Sequence, residues 1–170
     1  VIAVRPAAPG DVPEILRLVR QLAAYEREPD AVVATPEHLA AALFPSAGAP
    51  LVHAHVATVG ADVAGIAVWF VSFSTWEGRH GIYLEDLYVV PEHRASGVGR
   101  ALLAELAAEA VRRGYRRLEW SVLDWNEPAR RFYRAIGAAD LTQWVPNRLA
   151  GDALHALADL APGTPDAAAT

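Results

Sequence analysis

The chain has 170 residues, 53% of them hydrophobic, a formal net charge of −5 and no cysteine. That length suits one domain with a sizeable core, and the missing cysteines exclude a disulfide framework and a thiolate metal site. The negative balance argues against a general nucleic-acid binder and is compatible with a cationic substrate.

No run of 18 apolar residues free of charge suggests a membrane span. The start, VIAVRPAAPGDVPE, lacks the basic region and continuous apolar core of a signal peptide. A cytoplasmic protein with no membrane partner is the simplest expectation. All 15 basic residues are arginine, so the chain has no lysine of its own to be modified. Methionine is absent even at position 1, and the start is expected to be processed or trimmed.

Taken in order, Val1 to Arg5 reads as a short strand ended by Pro6. Gly10-Asp11 offers a helix cap, and Ile15, Leu16, Leu18, Val19, Leu22 and Ala23 form an apolar helical stripe. Tyr25 to Asp30 is a polar loop with a lone aromatic. Thr35-Pro36-Glu37 opens a shorter helix to about Leu43. Leu51 to Val59 and Asp62 to Phe73 are β-rich runs joined as a hairpin, the second apolar enough for a central strand buried on both faces. Ser74 to Gly78 is a loop carrying Trp76. Tyr83 to Val90 is a further strand, stopped by Pro91, and Gly97 to Arg113 is a long amphipathic helix closed by Gly114. Arg116 to Leu123 reads as a strand, Asp124 to Pro128 as a turn, and Ala129 to Ile136 as a helix ending at Gly137. A last strand or pair of strands is expected over Leu141 to Leu149, then a small helix from Asp152 to Leu160. Residues 1–160 are expected to form one α/β domain with a mixed sheet, and 161–170 a disordered tail.

The stretch from Tyr83 to Arg100 organises the rest. Gly97-Val98-Gly99 lies between a strand and a helix, with Arg94 three residues before it and Arg100 directly after. The first N–H groups of a helix have no internal partner and point outward, so this arrangement can cradle a diphosphate. By itself the spacing does not separate several nucleotide-binding folds, and a glycine turn that merely lets strand and helix pack would look the same. The third glycine of a dinucleotide loop is missing, as are the lysine and hydroxyl of a triphosphate loop.

Arg94-Ala95-Ser96-Gly97-Val98-Gly99 resembles the R/Q-x-x-G-x-G/A signature of the GCN5-related N-acetyltransferases (GNAT). Asn126-Glu127-Pro128-Ala129 through Phe132-Tyr133 to Gly137-Ala138 is similar to the second signature of that superfamily. YLEDLYV, DWNEPARRFYRAIGAADL and LRLVRQLAAYE resemble more narrowly its spermidine/spermine (diamine) and thialysine branch, from about Ile2 to Arg148.

The resemblance implies a GNAT fold, a mostly antiparallel sheet flanked by helices with acetyl-CoA at a splayed strand pair and no metal. It implies an acetyl-CoA-dependent N-acetyltransferase acting on a diamine, a polyamine or a lysine-like amino acid, and a homodimer. Glu85 is the expected base, directly or through water, and Tyr133 the acid that protonates the departing thiolate. Asp86, expected on the opposite face of its strand, could attract a cation. For the cofactor the expected contacts are Leu87, Tyr88 and Val89 along the strand and Ala95 to Arg100, with Arg94, at the diphosphate. Asn126, Pro128, Ala129, Tyr133 and Arg134 complete them. Tyr25, Glu26, Trp76, Glu85 and Asp86 are the expected acceptor residues. Ser74 and Asn147 depart from the polyamine pattern, where an aspartate and a tryptophan are expected, which leaves a shorter amine at least as well supported as spermidine. A non-catalytic acyl-CoA-binding module, or transfer to a peptide or protein amine, is the alternative.

Overall fold

The computed structural model describes residues 1–162. Two compact units divide the chain after Asn126 and are taken in turn. The expected tail over 161–170 lies, from residue 163 on, outside the described residues. Among the described residues no helix is long and apolar enough to cross a membrane.

The first unit is built on a five-stranded sheet in the order β1-β2-β3-β4-β5. These strands are β1 Ile2–Pro6, β2 Val52–Val59, β3 Asp62–Ser74, β4 Arg79–Val89 and β5 Leu118–Trp120. The first four pair antiparallel in sequence order, and β5 runs parallel to β4. Helices α1 Val12–Tyr25 and α2 Pro36–Leu43 cover one face and α3 Val98–Arg112 the other. This is the mixed, mostly antiparallel α/β sheet expected of the sequence.

Each helix starts where local chemistry allows it. The Asp11 carboxylate takes two bonds from Arg5, at 2.6 and 2.8 Å, and one from the Ala8 N–H at 2.7 Å, which ties the end of β1 to the entry of α1. Thr35 caps α2 by accepting from the His38 N–H. The α1 stripe of Ile15 and Leu18 packs with Leu43 of α2 on Val56, Ile66, Val68 and Tyr88 of the sheet. Burial of each such aliphatic side chain contributes roughly 1.5–3 kcal/mol. Val98, Leu102 and Leu106 of α3 are wholly buried in the opposite layer.

β3 is the central strand, buried from Ala64 to Trp69. Its Gly65 sits under α3 because nothing larger fits. An added methyl group there would lie 2.7 Å from the Tyr88 carbonyl oxygen and 3.2 Å from Val98 Cγ1. β5 is shorter than expected, three residues in place of eight, and that shortness matters for the site.

In the second unit, α4 Glu127–Ala135 stops at Gly137, whose φ of 92° lets the chain reverse. Arg134 bridges to Glu127 at 3.0 Å and to Asp140 at 3.5 Å. The strand expected over Leu141 to Leu149 is not formed: the chain turns at 142–143, where the Trp144 N–H donates to the Leu141 carbonyl at 3.2 Å, and the segment joins no ladder among the described residues. Strand propensity there is not matched by burial on a sheet face: Leu141, Trp144 and Val145 stand 55–78% exposed. α5 Gly151–Ala158 follows, with Leu154 and Leu157 also exposed.

Gly65→Ala is expected to destabilise the protein by about 1–3 kcal/mol through overpacking against the Tyr88 carbonyl, read as a lower urea midpoint at unchanged slope.

Candidate functional site

Two irregularities coincide on β4. Among the described residues the β4–β5 ladder holds only Ile82↔Leu118, Tyr83↔Glu119 and Leu84↔Trp120, so there β4 has no ladder partner on that edge from Glu85 on. At the same place the β3–β4 register slips: Trp69 pairs with Leu84 but Val68 with Asp86, leaving Glu85 as the extra residue of a bulge. The strand thus loses one neighbour just where it kinks against the other.

The freed edge presents backbone groups. Val90 donates its N–H to Ala64 on β3 at 3.0 Å, and the Tyr88 carbonyl lies against Gly65. Alternation along an extended strand therefore turns the N–H groups of Leu87 and Val89 to the open side. The Val89 carbonyl is on that side and accepts from Arg94 Nε at 3.1 Å. Of the three expected backbone contacts, Leu87 and Val89 face the gap and Tyr88 faces β3.

Beyond the strand, Pro91–His93 makes one 3-10 turn, Ala95 adopts φ 59° and Gly97 φ 99°, and α3 starts at Val98. Gly97 has no side chain to cap the helix, and the first turn carries no acidic residue. The first intrahelical bond comes from Ala101 to the Gly97 carbonyl. The N–H groups of Val98, Gly99 and Arg100 are left pointing out, with the exposed Arg100 guanidinium beside them. Ser96 turns inward instead, its hydroxyl donating to the His93 carbonyl at 2.6 Å. Outward backbone N–H groups at a helix start, free of acidic neighbours in the first turn, are chemically suited to an anion.

The carboxylates gather on the other side of the bulge. By its pairing with Val68, Asp86 shares the α1 face with Tyr88 and Val90. A regular strand would set Glu85 and Asp86 on opposite faces, as expected from the sequence; the extra residue breaks that alternation. Glu85 is exposed and Asp86 half-buried. Burial pushes the Asp86 carboxyl up from 3.8 to about 6, helped by the negative charges of Glu85 and Glu26. Burial also raises the Glu26 carboxyl, at the end of α1. Three carboxylates from two elements thus act on one space.

Tyr25 stands next to it, held on several sides. Its hydroxyl donates to the buried Asn126 Oδ1 at 3.1 Å, the Arg94 guanidinium lies 4.8 Å over its ring, and Trp125 meets it at 6.0 Å. Arg94 also covers Tyr88 at 5.5 Å, and a groove of about 670 Å³ lined by Arg17, Gln21, Tyr25, Tyr88 and Arg94 runs alongside. Two side chains that went unremarked in the sequence complete the surroundings: Trp125, and Arg27, whose guanidinium lies 4.4 Å over the Trp125 ring. Nothing local marked them, since the contact joins residues almost a hundred positions apart.

The structure does not bring Trp76 to this group. It is 90% exposed in the β3–β4 turn, whose closing pair is Ser74↔Arg79. Asp86 lies seven positions along β4 from Arg79, on the order of 20 Å at about 3.3 Å per residue. Ser74 is buried and accepts from the Glu77 N–H, so it shapes that turn. In the second unit, Tyr133 is half-buried with its ring 5.4 Å from Phe132, Pro128 is exposed, and Arg134 is engaged by Glu127 and Asp140. Asn147 donates to the Val145 carbonyl. No group of acidic and histidine side chains suited to a metal occurs among the described residues.

Comparison with known proteins agrees with this geometry. Residues 17–138 match the Acetyltransferase (GNAT) family. The chain is 40% identical to a thialysine N-epsilon-acetyltransferase of Bos taurus, over 92% of its length and 97% of the relative's. It is 30% identical to an L-ornithine N5-acetyltransferase of Arabidopsis thaliana, over 91% and 86%. An integron cassette protein from the V. cholerae mobile metagenome shares the fold at a TM-score of 0.76 and 24% identity, covering 92% of this chain and 97% of that one.

The Asp86 environment makes a prediction of definite sign. Between pH 3.8 and about 6 the folded protein holds a proton that the unfolded chain has released, so stability falls as pH rises through that window. Asp86→Asn should therefore add about 1–3 kcal/mol near pH 8 and little near pH 4, read by urea unfolding at the two pH values.

Proposed function

Because the chain belongs to the acetyltransferase (GNAT) family, we propose that it transfers the acetyl group of acetyl-CoA to the primary amine of a small cationic acceptor in the cytoplasm. The acceptor is a diamine, a polyamine or a lysine-like amino acid. One observation carries this reading: the carboxylates of Glu26, Glu85 and Asp86 lie around the bulge of the same strand whose open edge leads to the diphosphate loop. A cation drawn to the carboxylates is thereby brought to the edge along which a thioester would lie.

Acetyl-CoA supplies an activated acetyl group on a thiolate leaving group. The amine nitrogen bonds to the carbonyl carbon as the carbon–sulfur bond breaks; the amine proton goes to Glu85, directly or through one water, and Tyr133 protonates the sulfur. The N–H groups of Leu87 and Val89 are suited to hold the thioester oxygen and the pantetheine amides. The turn from Ala95 to Arg100 takes the diphosphate. The role of Tyr133, and the cofactor contacts of Asn126, Pro128, Ala129 and Arg134, rest on the second signature.

Asp86 is the second candidate base. Its carboxyl, raised to about 6, titrates close to neutral pH, where a base is most effective, and it is better shielded than Glu85. If Glu85 is the base, Glu85→Gln lowers kcat about 100-fold or more, while Asp86→Asn acts mainly on acceptor KM. The reverse pattern transfers the role to Asp86.

Incubation with acetyl-CoA and a panel of spermidine, diamines, lysine analogues and peptides should release free CoA with at least one small amine. Release with none would leave an acyl-CoA-binding module, and release with peptides alone a protein acetyltransferase. Tyr133→Phe should lower turnover while CoA binding is retained.

The homodimer belongs to the same reading. Support comes from Leu141 to Leu149, a segment with strand propensity that joins no ladder and exposes Leu141, Trp144 and Val145. Sedimentation velocity should give twice the monomer mass, and Trp144→Arg should shift it to monomer.

A further inference from the structure

Arg27 is an arginine in a place that favours glycine. α1 ends in a Schellman motif: the Glu28 N–H donates to the Ala23 carbonyl at 2.8 Å and the Arg27 N–H to the Ala24 carbonyl at 3.2 Å. The residue between these bonds and the helix takes a left-handed conformation, and Arg27 has φ 70°. A side chain there costs about 1 kcal/mol relative to glycine. Such strain at a non-glycine residue points toward a use for its side chain.

What the side chain does is specific. Its guanidinium lies 4.4 Å over the Trp125 ring, a contact with the ring face that leaves most of its five N–H donors available. Among the described residues no carboxylate forms an ion pair with it, although Glu26 precedes it and Glu28 follows. Glu26 instead acts on Asp86 from the end of α1. Two consecutive residues therefore carry opposite charges to two places: Glu26 to the carboxylate group at the bulge, Arg27 to a platform on Trp125. Trp125 also meets Tyr25 at 6.0 Å, so the platform adjoins the proposed acceptor site.

A diamine has no use for such a cation, whose charge opposes its second ammonium. An acceptor with an ammonium at one end and a carboxylate at the other uses both. We infer that Arg27, stacked on Trp125, binds the carboxylate of the acceptor, and that the acceptor is an amino acid with a terminal primary amine. This rests on the amine acetyltransferase reading and narrows it. The guanidinium receives the carboxylate through charge-assisted hydrogen bonds, while Glu26, Glu85 and Asp86 receive the ammonium.

The test uses acceptor pairs that differ only in the carboxylate, ornithine against putrescine and lysine against cadaverine, with wild type, Arg27→Gly and Arg27→Lys. Glycine suits the left-handed position, so Arg27→Gly should be at least as stable as wild type. Wild type should prefer the amino acids. Arg27→Gly should lower the ornithine-to-putrescine ratio of kcat/KM about 10- to 100-fold through the ornithine KM, and Arg27→Lys should recover part of it. An unchanged ratio overturns the assignment, as does a loss of stability in Arg27→Gly, which would make the side chain structural. Turnover absent with every amine would overturn acetyl transfer instead. Calorimetric titration of ornithine and putrescine in the presence of CoA still reads Arg27, whose removal should weaken ornithine binding and not putrescine binding.

Discussion

The site depends on β4 parting from β5 after Leu84 and slipping register against β3 at Glu85. A strand inside a sheet has both rows of backbone groups occupied and its side chains strictly alternating. Losing the neighbour on one edge frees the N–H groups of Leu87 and Val89. Inserting one residue on the other edge puts Asp86 on the same face as Tyr88 and Val90. Neither change would suffice alone. Without the bulge, Asp86 would share the α3 face with Leu84, away from Glu26; without the short β5, the edge would be filled by a ladder.

The rest of the first unit holds that irregularity in place. β3 beneath it is buried on both faces, and Gly65 lets the Tyr88 carbonyl and α3 approach closely. The Asp11 knot between β1 and α1 sets where α1 begins, and its end carries Tyr25, Glu26 and Arg27 to the bulge. The electrostatic consequence is visible in Asp86, whose burial beside two like charges raises its carboxyl toward neutrality. Such a group destabilises the fold when ionised, because the unfolded chain holds the same charge in water.

Tyr25 joins parts that the sequence treats separately. Its ring lies under Arg94 of the first signature, and its hydroxyl reaches Asn126 at the start of the second. The end of α1, the turn after β4 and the start of the second signature therefore share one side chain within the first unit. Arg94 itself is folded onto Val89, Tyr25 and Tyr88, so the arginine of the first signature serves as much to brace this junction as to supply charge.

What was legible in the sequence follows from short-range periodicity. The helical stripe of α1, the hairpin of β2 and β3, the proline stop after β4 and the glycine turn into α3 all rest on patterns within a dozen residues. So did the two signatures that identified the family and its cofactor. Tertiary structure alone decided the register slip at Glu85, the face taken by Asp86, the reach of Tyr25 to Asn126 and of Arg27 to Trp125, and the distance of Trp76 from the carboxylates. It also decided that Leu141 to Leu149, with the propensity of a strand, joins no ladder among the described residues. The physical reason is common to these cases. A bulge, a strand end or a cation over a ring is set by which backbone groups and surfaces meet across the sheet, and residues far apart in sequence carry no local trace of that meeting.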